Sequence, residues 1–178
     1  MKKLSINKTK IKDVFLINHN LFKDKRGSFK RGVCITELKK NNIKFDIKQA
    51  NFSENLIKGT LRGFHMQRYP YQESKLLTCA RGSIFNVIID MRKNSKTFGK
   101  HASFVLNEKN KNSVLIPKGC ANAFLTLENN SLIHYYCSQI YSSKHEMGFR
   151  YDDPFLKIKW PIKIKIISEK DLNHPLIR

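Results

Sequence analysis

Within the nonapeptide Gly59-Thr60-Leu61-Arg62-Gly63-Phe64-His65-Met66-Gln67, a cation, an imidazole and an amide fall close together in the chain. Imidazole is the one side chain that takes and returns protons near neutral pH at its ordinary pKa of about 6.5. The planar fork of arginine binds phosphate or carboxylate through paired hydrogen bonds. His65 therefore reads as a base and Arg62 as the anchor for an anionic substrate, with Gly59 and Gly63 permitting tight backbone geometry around them. Further along stand Lys75, the tyrosines Tyr135, Tyr136 and Tyr141, and the late acid Asp171. A histidine base opposite a phenolic acid suits proton exchange at a carbon beside a ketone. Imidazole removes the acidified proton, a lysine such as Lys75 stabilises the enolate, and a tyrosine returns a proton from the opposite face, inverting the centre. An aspartate behind the histidine fixes its tautomer and stabilises the imidazolium.

Other chemistries lose ground by omission. There is no G-x-S-x-G elbow, no phosphate-binding P-loop and no G-x-G-x-x-G, which argues against serine hydrolysis, nucleoside triphosphate hydrolysis and Rossmann cofactors. His65 is followed by Met66 and Gln67 rather than by a second histidine, so no metal site is expected. Cys34, Cys79, Cys120 and Cys137 are widely spaced and read as reduced thiols. Gln49 and Asn51 share one strand face, which suits hydroxyls or base edges and equally suits solvent. Arg26, before Gly27, reads either as a turn residue or as a second anion contact.

These residues must be held by strands. The 178 residues suit one domain over 1–178, without linker or internal repeat. Short strands at intervals of roughly 8–12 residues, separated by Gly, Pro and Asn turns, point to a β-sandwich or barrel. Strands are expected within 11–22, at Asp46–Phe52, His101–Leu106, Ser113–Ile116 and Leu132–Tyr141. Ser74–Cys79 and Ser83–Asp90 are expected to form a hairpin about Ala80-Arg81-Gly82. Leu156–Ile166 alternates apolar residues with Lys157, Lys159, Lys163 and Lys165, as a strand with one solvated face does. Short helices are expected at Ile35–Lys40 and after Ser168, a capping residue. No apolar run approaches the ~20 residues of a membrane span, and no secretion signal is evident, so a cytoplasmic enzyme without membrane contact is expected. The net charge of +20 raises the question of a polyanion. The lysines are spread along the chain among asparagines, however, without the aromatic interleaving of a nucleic-acid platform, so nucleic acid is not an expected partner.

The ordered motifs Asp24-Lys-Arg26-Gly27-Ser-Phe29, Gln49-Ala-Asn51-Phe-Ser53, Leu61-Arg62-Gly63-Phe-His65-Met-Gln67, Lys75-Leu76, Asp90-Met-Arg92, Pro117-Lys-Gly119, Asp152-Asp153-Pro154, Trp160-Pro161 and Ser168-Glu-Lys-Asp171 resemble the dTDP-4-dehydrorhamnose 3,5-epimerase family from about residue 10 to 176. The resemblance implies a mainly β, cupin-like antiparallel barrel (a jelly roll) with a few short helices. It also implies a homodimer, catalysis without metal or organic cofactor, and inversion at C3, C5 or both of a nucleotide-linked 4-keto-6-deoxy sugar in surface-polysaccharide precursor synthesis. By the same resemblance His65 is the proton acceptor, Asp171 its dyad partner, Lys75 the enolate's support and Tyr135 the proton donor. Tyr141 stacks on the base, and Arg26, Gln49, Asn51, Arg62, Glu146 and Lys170 bind the nucleotide sugar. Tyr136 is a rival donor unless strand alternation turns it away. Two positions depart from the family pattern. Arg31 stands where a substrate-binding glutamate is usual, and Asn122, which can donate a hydrogen bond but carries no protonic charge, stands where a histidine is usual. A keto-sugar isomerase, or a non-catalytic sugar-nucleotide or polyanion-binding module, is the alternative; retention of His65, Lys75, Tyr135 and Asp171 together speaks against the module.

Overall fold

A computed structural model describes residues 4–177. In chain order the strands are β1 (Leu4–Lys8), β2 (Phe15–His19), β3 (Phe22–Asp24), β4 (Gly27–Phe29), β5 (Gln49–Asn55), β6 (Leu61–Gln67), β7 (Lys75–Arg81), β8 (Ser83–Asp90), β9 (His101–Asn107), β10 (Ser113–Ile116), β11 (Cys120–Thr126), β12 (Ser131–Cys137) and β13 (Glu146–Gly148). Helix α1 (Ile35–Lys40) lies between β4 and β5, and α2 (Glu169–Leu172) follows β13. One sheet runs β1-β2-β10-β7-β12-β5, a second β13-β6-β11-β8-β9, and β3-β4 form a small separate ribbon. All of these strand pairs are antiparallel. This is the mainly β, cupin-like architecture expected from the sequence.

Three apolar layers hold the sheets. Leu77, Cys79, Val114, Ile116 and Ile133 of the large sheet meet Ile84, Ile88, Leu106 and Phe124 of the small one to form the inner core. On the outer side of the small sheet, Phe64, Val87, Ile89, Ala121 and Ala123 pack under Phe149, Leu156, Ile158 and Trp160. On the outer side of the large sheet, Leu4, Ile17, Leu76 and Leu115 pack under Leu38 of α1 with Ile43 and Phe45. Strand β8 is covered on both faces, which explains why it reads as an almost unbroken apolar run.

Three expectations about strands are corrected. The strands either side of Ala80-Arg81-Gly82 are not a hairpin: β7 pairs with β10 and β12, whereas β8 pairs with β9 and β11. Gly82, at φ +74°, is a corner between sheets, and a Cβ there would press on Ser131. Leu156–Ile166 is not a strand either. It is an extended cover over the small sheet, tied at its end to the start of β6 by backbone hydrogen bonds of Lys165 and Ile166 with Gly59 and Leu61. Alternation reports that one side is buried; it does not report a hydrogen-bonded neighbour. Finally, β12 ends at Cys137, so Tyr141 belongs to a loop. The short helices lie where the sequence placed them, and Ser168 Oγ caps α2 by accepting from the Asp171 N–H at 3.1 Å.

Candidate active site

The mouth of the sandwich is lined from both sheets. On the large sheet, β12 sets Tyr135 opposite Asn51 and Leu77, and Cys137 opposite Gln49 and Lys75. Directly opposed residues share a face, so two rows of side chains point at the small sheet. Tyr136 sits on the other face with Leu76 and lines a separate cavity beside Lys30 and His134.

The small sheet supplies Arg62 and His65, and a bulge makes that possible. Residues three apart on a regular strand face opposite ways. Here Asn122 pairs with His65 while Phe124 pairs with Arg62, so β6 holds one extra residue between the two pairs. Both Arg62 and His65 consequently line the same cavity. Gly63 carries the irregularity at φ +113°, and a Cβ there would come within 2.5 Å of the Asn122 carbonyl oxygen.

Two adjoining cavities, of about 320 and 140 Å³, share His65, Lys75 and Tyr135. The larger adds Gln49, Asn51, Glu73, Tyr141 and Glu146; the smaller adds Arg62, Ser53, Asn122 and Phe124. His65 Nε2 lies 2.7 Å from Asp171 Oδ1, leaving Nδ1 as the nitrogen available to a substrate. Asp171 Oδ2 accepts the Gly63 N–H at 3.0 Å, so the bulge glycine and helix α2 together aim the carboxylate. Burial alone would raise the Asp171 carboxyl, but hydrogen bonds from His65 and Gly63 bring it below its ordinary value.

Lys75 Nζ lies 3.0 Å from Glu73 Oε1, both largely buried. Burial pulls the ammonium down, yet the Glu73 carboxylate holds it net above its ordinary range, so Lys75 is a fixed positive charge. Burial raises the Tyr135 phenol, only partly offset by Lys75, and the group stays protonated at neutral pH. Cys137 beside them is pushed up to about 12 by burial and then by Glu73, and remains a thiol. At the rim, Tyr141 Oη donates to Glu146 Oε2 at 2.6 Å, and Lys170 Nζ donates to the same oxygen. Gln49 donates to Asn51 at 2.7 Å and accepts the Tyr141 N–H at 3.0 Å. Arg62 Nε donates to Asn55 Oδ1 at 2.8 Å.

Two residues expected in this set are elsewhere. Arg26 is on the β3-β4 ribbon, its side chain 90% exposed and paired with Asp24 at 2.6 Å. Arg31 follows that ribbon; its carbonyl accepts from His19 and its guanidinium lies against Cys34. Neither lines the cavity of its own chain. Asn122 does line the cavity, but its amide hydrogens go to the Val87 and Ala123 carbonyls. What it can still offer a ligand is an acceptor oxygen rather than a donor.

Glu73 was not singled out from the sequence, though Glu73-x-Lys75 places like-facing opposite charges at a strand start. Gln67 is the amide of the central nonapeptide. It is buried, donates to Glu73 Oε2 at 3.3 Å and accepts the Ser142 N–H at 2.6 Å, tying the Lys75 pair to the rim loop. His174 was missed too; it stands with His65 and Asp171, and the three can present metal-ligand atoms to one point. Their separation in sequence hides them.

A profile of the family described as dTDP-4-dehydrorhamnose 3,5-epimerase matches residues 8–178. The chain belongs to this family. It is 36% identical over 166 residues to the dTDP-4-dehydrorhamnose 3,5-epimerase of Sinorhizobium fredii, covering 93% of this chain and 85% of the relative. The crystal structure of the Bacillus anthracis enzyme, with TDP and pyrophosphate bound, superposes with a TM-score of 0.95 at 33% identity, covering 98% of this chain and 99% of that one. A Legionella pneumophila relative crystallised with dTDP-4-keto-L-rhamnose superposes with a TM-score of 0.92 at 32% identity, covering 97% and 92%. The protein is thus an isomerase of the sugar-nucleotide epimerase type.

Proposed function

We propose that this epimerase inverts C3, C5 or both of a dTDP-linked 4-keto-6-deoxy sugar, as a cytoplasmic single-domain enzyme of surface-polysaccharide precursor synthesis. The observation that carries the reading is one cavity flanked by a His65–Asp171 dyad from one side and by Tyr135 and Lys75 from the other. His65 Nδ1 takes the proton from the carbon beside the ketone, and the C–H electron pair moves into the enolate. The charge on the former ketone oxygen is met by Lys75, held cationic by Glu73. Tyr135 then delivers its proton to the opposite face of the carbon, and the inverted ketone re-forms. The phenolate is re-protonated and the imidazolium discharged before the next turnover, so no net proton is consumed.

Tyr141 stacks on the base, while Gln49, Asn51, Arg62, Glu146 and Lys170 bind the nucleotide sugar. No cofactor enters these steps. Arg26 is too far out to serve its own chain, so the working unit is a homodimer in which the ribbon of a second copy brings Arg26 to the diphosphate; Arg31 travels on the same segment. Asn122, an acceptor without protonic charge, favours inversion at a single centre. Incubation with dTDP-4-keto-6-deoxyglucose in D2O, followed by NMR, tests the reading. Deuterium at C3, C5 or both, lost in His65→Ala, supports it; no exchange with dTDP-, GDP- or CDP-linked keto-sugars overturns it.

A further inference from the structure

His174 follows α2 and takes no part in the proton transfers above. Its ring stands edge-on to His65, with centroids 5.8 Å apart and planes at 79°. Its Nε2 is buried, has no hydrogen-bond partner, and lies 3.5 Å from the same Asp171 oxygen that His65 contacts at 2.7 Å. The space it occupies depends on Gly148, where a Cβ would collide with that nitrogen. One ligand atom from each of His65, Asp171 and His174 lies within 4.8 Å of the others. A buried nitrogen without a partner costs free energy, and here it points at a carboxylate already shared with a second imidazole.

We propose that His65, Asp171 and His174 form a binding site for a divalent transition-metal ion of the Zn2+ type, and that occupation switches the dyad off. Zinc takes imidazole nitrogen and carboxylate oxygen at about 2.0–2.2 Å in tetrahedral geometry, which sets its ligand atoms roughly 3.3 Å apart. The His174–Asp171 separation of 3.5 Å already fits. The His65–Asp171 separation of 2.7 Å needs to open by well under ~1 Å once no proton lies between the two atoms.

The consequence for turnover follows from proton bookkeeping, and this part rests on His65 being the base. Neutral His65 carries its one proton on Nε2, toward Asp171, and keeps the Nδ1 lone pair for substrate. An ion at Nε2 binds through the electron pair of the Nε2–H bond it replaces, and the single proton relocates to Nδ1, whose lone pair forms the new N–H bond. No proton is gained or lost by the ring, but the atom facing the substrate is now a donor and cannot accept. Because Tyr141, Gln49 and Asn51 are untouched, kcat falls while KM changes little.

Chelator-treated protein is titrated with CoCl2, recording visible absorption, and the D2O exchange assay is run in parallel with ZnCl2. The expected result is a cobalt band saturating at one ion per chain and displaced by zinc, together with zinc inhibition of kcat that chelator reverses. His174→Ala and His174→Gln, checked for folding by circular dichroism, keep metal-free exchange. They lose the band and require at least about tenfold more zinc, the smallest cost of disturbing even an outer partner of a metal ligand. Absence of the cobalt band in the unaltered protein overturns the site, as does band and inhibition persisting unchanged in both variants. If the metal-free protein shows no exchange at all, the epimerase reading fails while the cobalt titration still decides the metal site.

Discussion

Replacing Asp171 by asparagine isolates the role of the dyad, because the change keeps shape and removes only charge and one acceptor. The two carboxylate oxygens are not equivalent: Oδ2 accepts the Gly63 N–H and Oδ1 faces His65 Nε2. An asparagine must keep its oxygen on the Gly63 side, since two N–H groups cannot bond each other. Its NH2 then points at His65 Nε2 and donates to it. His65 is forced to carry its own proton on Nδ1, the atom that has to accept one from the sugar. In hydrolase triads this trapping of the wrong tautomer lowers kcat by about 10⁴. The expected loss here is about 10³–10⁴, or about 4 to 5.5 kcal/mol of transition-state stabilisation. The contact loses its charge assistance as well, so stability should fall by about 1–3 kcal/mol. Initial rates of deuterium uptake into dTDP-4-keto-6-deoxyglucose measure the first effect, and urea unfolding measures the second. Exchange in Asp171→Asn within about tenfold of the unaltered enzyme would refute the tautomer argument, because one positioned proton-transfer group alone supplies at least about 10².

Tyr135→Phe removes the proposed acid but leaves His65 and Asp171 in place, so deuterium should still wash into the substrate without inversion. Product should fall by about 10²–10⁴, with Tyr136→Phe, on the other face of β12, unchanged in the same NMR assay. Product forming at the original rate in Tyr135→Phe would remove the tyrosine from the mechanism. Gly63→Ala places a Cβ within 2.5 Å of the Asn122 carbonyl oxygen at a φ of +113°; a loss of about 1–3 kcal/mol for the strained backbone and collapse of exchange are expected from unfolding curves and NMR. Fully buried Asp90 accepts from Arg92 at 2.8 Å and from Ser95 and Thr97 at 2.6 Å. Although burial opposes its charge, these bonds hold its carboxyl well below the usual range. A depressed folded pKa gives stability that is present above the unfolded value and lost as pH falls. Asp90→Asn should therefore cost about 3–5 kcal/mol at pH 7, and the gap should narrow in urea titrations below about pH 4.

Much of the site could be read from residue order, because proton chemistry demands particular side chains. The residues alone offer His65, Lys75, a tyrosine among Tyr135, Tyr136 and Tyr141, and Asp171; the family resemblance picks Tyr135, and the structure gathers His65, Lys75 and Tyr135 about one cavity with Asp171 behind His65. Strand alternation tells only that Tyr135 and Tyr136 face apart; which of them meets the cavity is decided by the register of β12 against β5 and β7. What depends on through-space assembly was harder to read. The β7–β8 corner looks like a hairpin because a glycine turn gives no sign of which sheet the next strand joins. The Leu156–Ile166 cover imitates a strand for the same reason. The family motif groups Arg26 and Arg31 with the site, yet the β3-β4 ribbon is hydrogen-bonded into neither sheet and so lies outside the strand register that fixes the rest. His174 adjoins His65 only because α2 turns the C-terminal segment back across Gly148.

The division of groups between the sheets bears on stereochemistry. The proposed base is anchored on the small sheet, where β6 carries His65 and α2 braces it through Asp171. The proposed acid and the proposed enolate-stabilising cation are anchored on the large sheet, with Tyr135 on β12 and Lys75 on β7. Under the proposed roles, a carbon placed between the sheets is approached by base and acid from different directions, which is the condition for inversion rather than return of the same proton to the same face. The separation of the two groups is set by the packed layer beneath them, in which Leu77 and Phe124 form part of both the inner core and the cavity wall. Close-packed interiors transmit small displacements instead of absorbing them. The bulge at Gly63 turns Arg62 onto the face of His65, so the proposed anion anchor and the proposed base line one cavity.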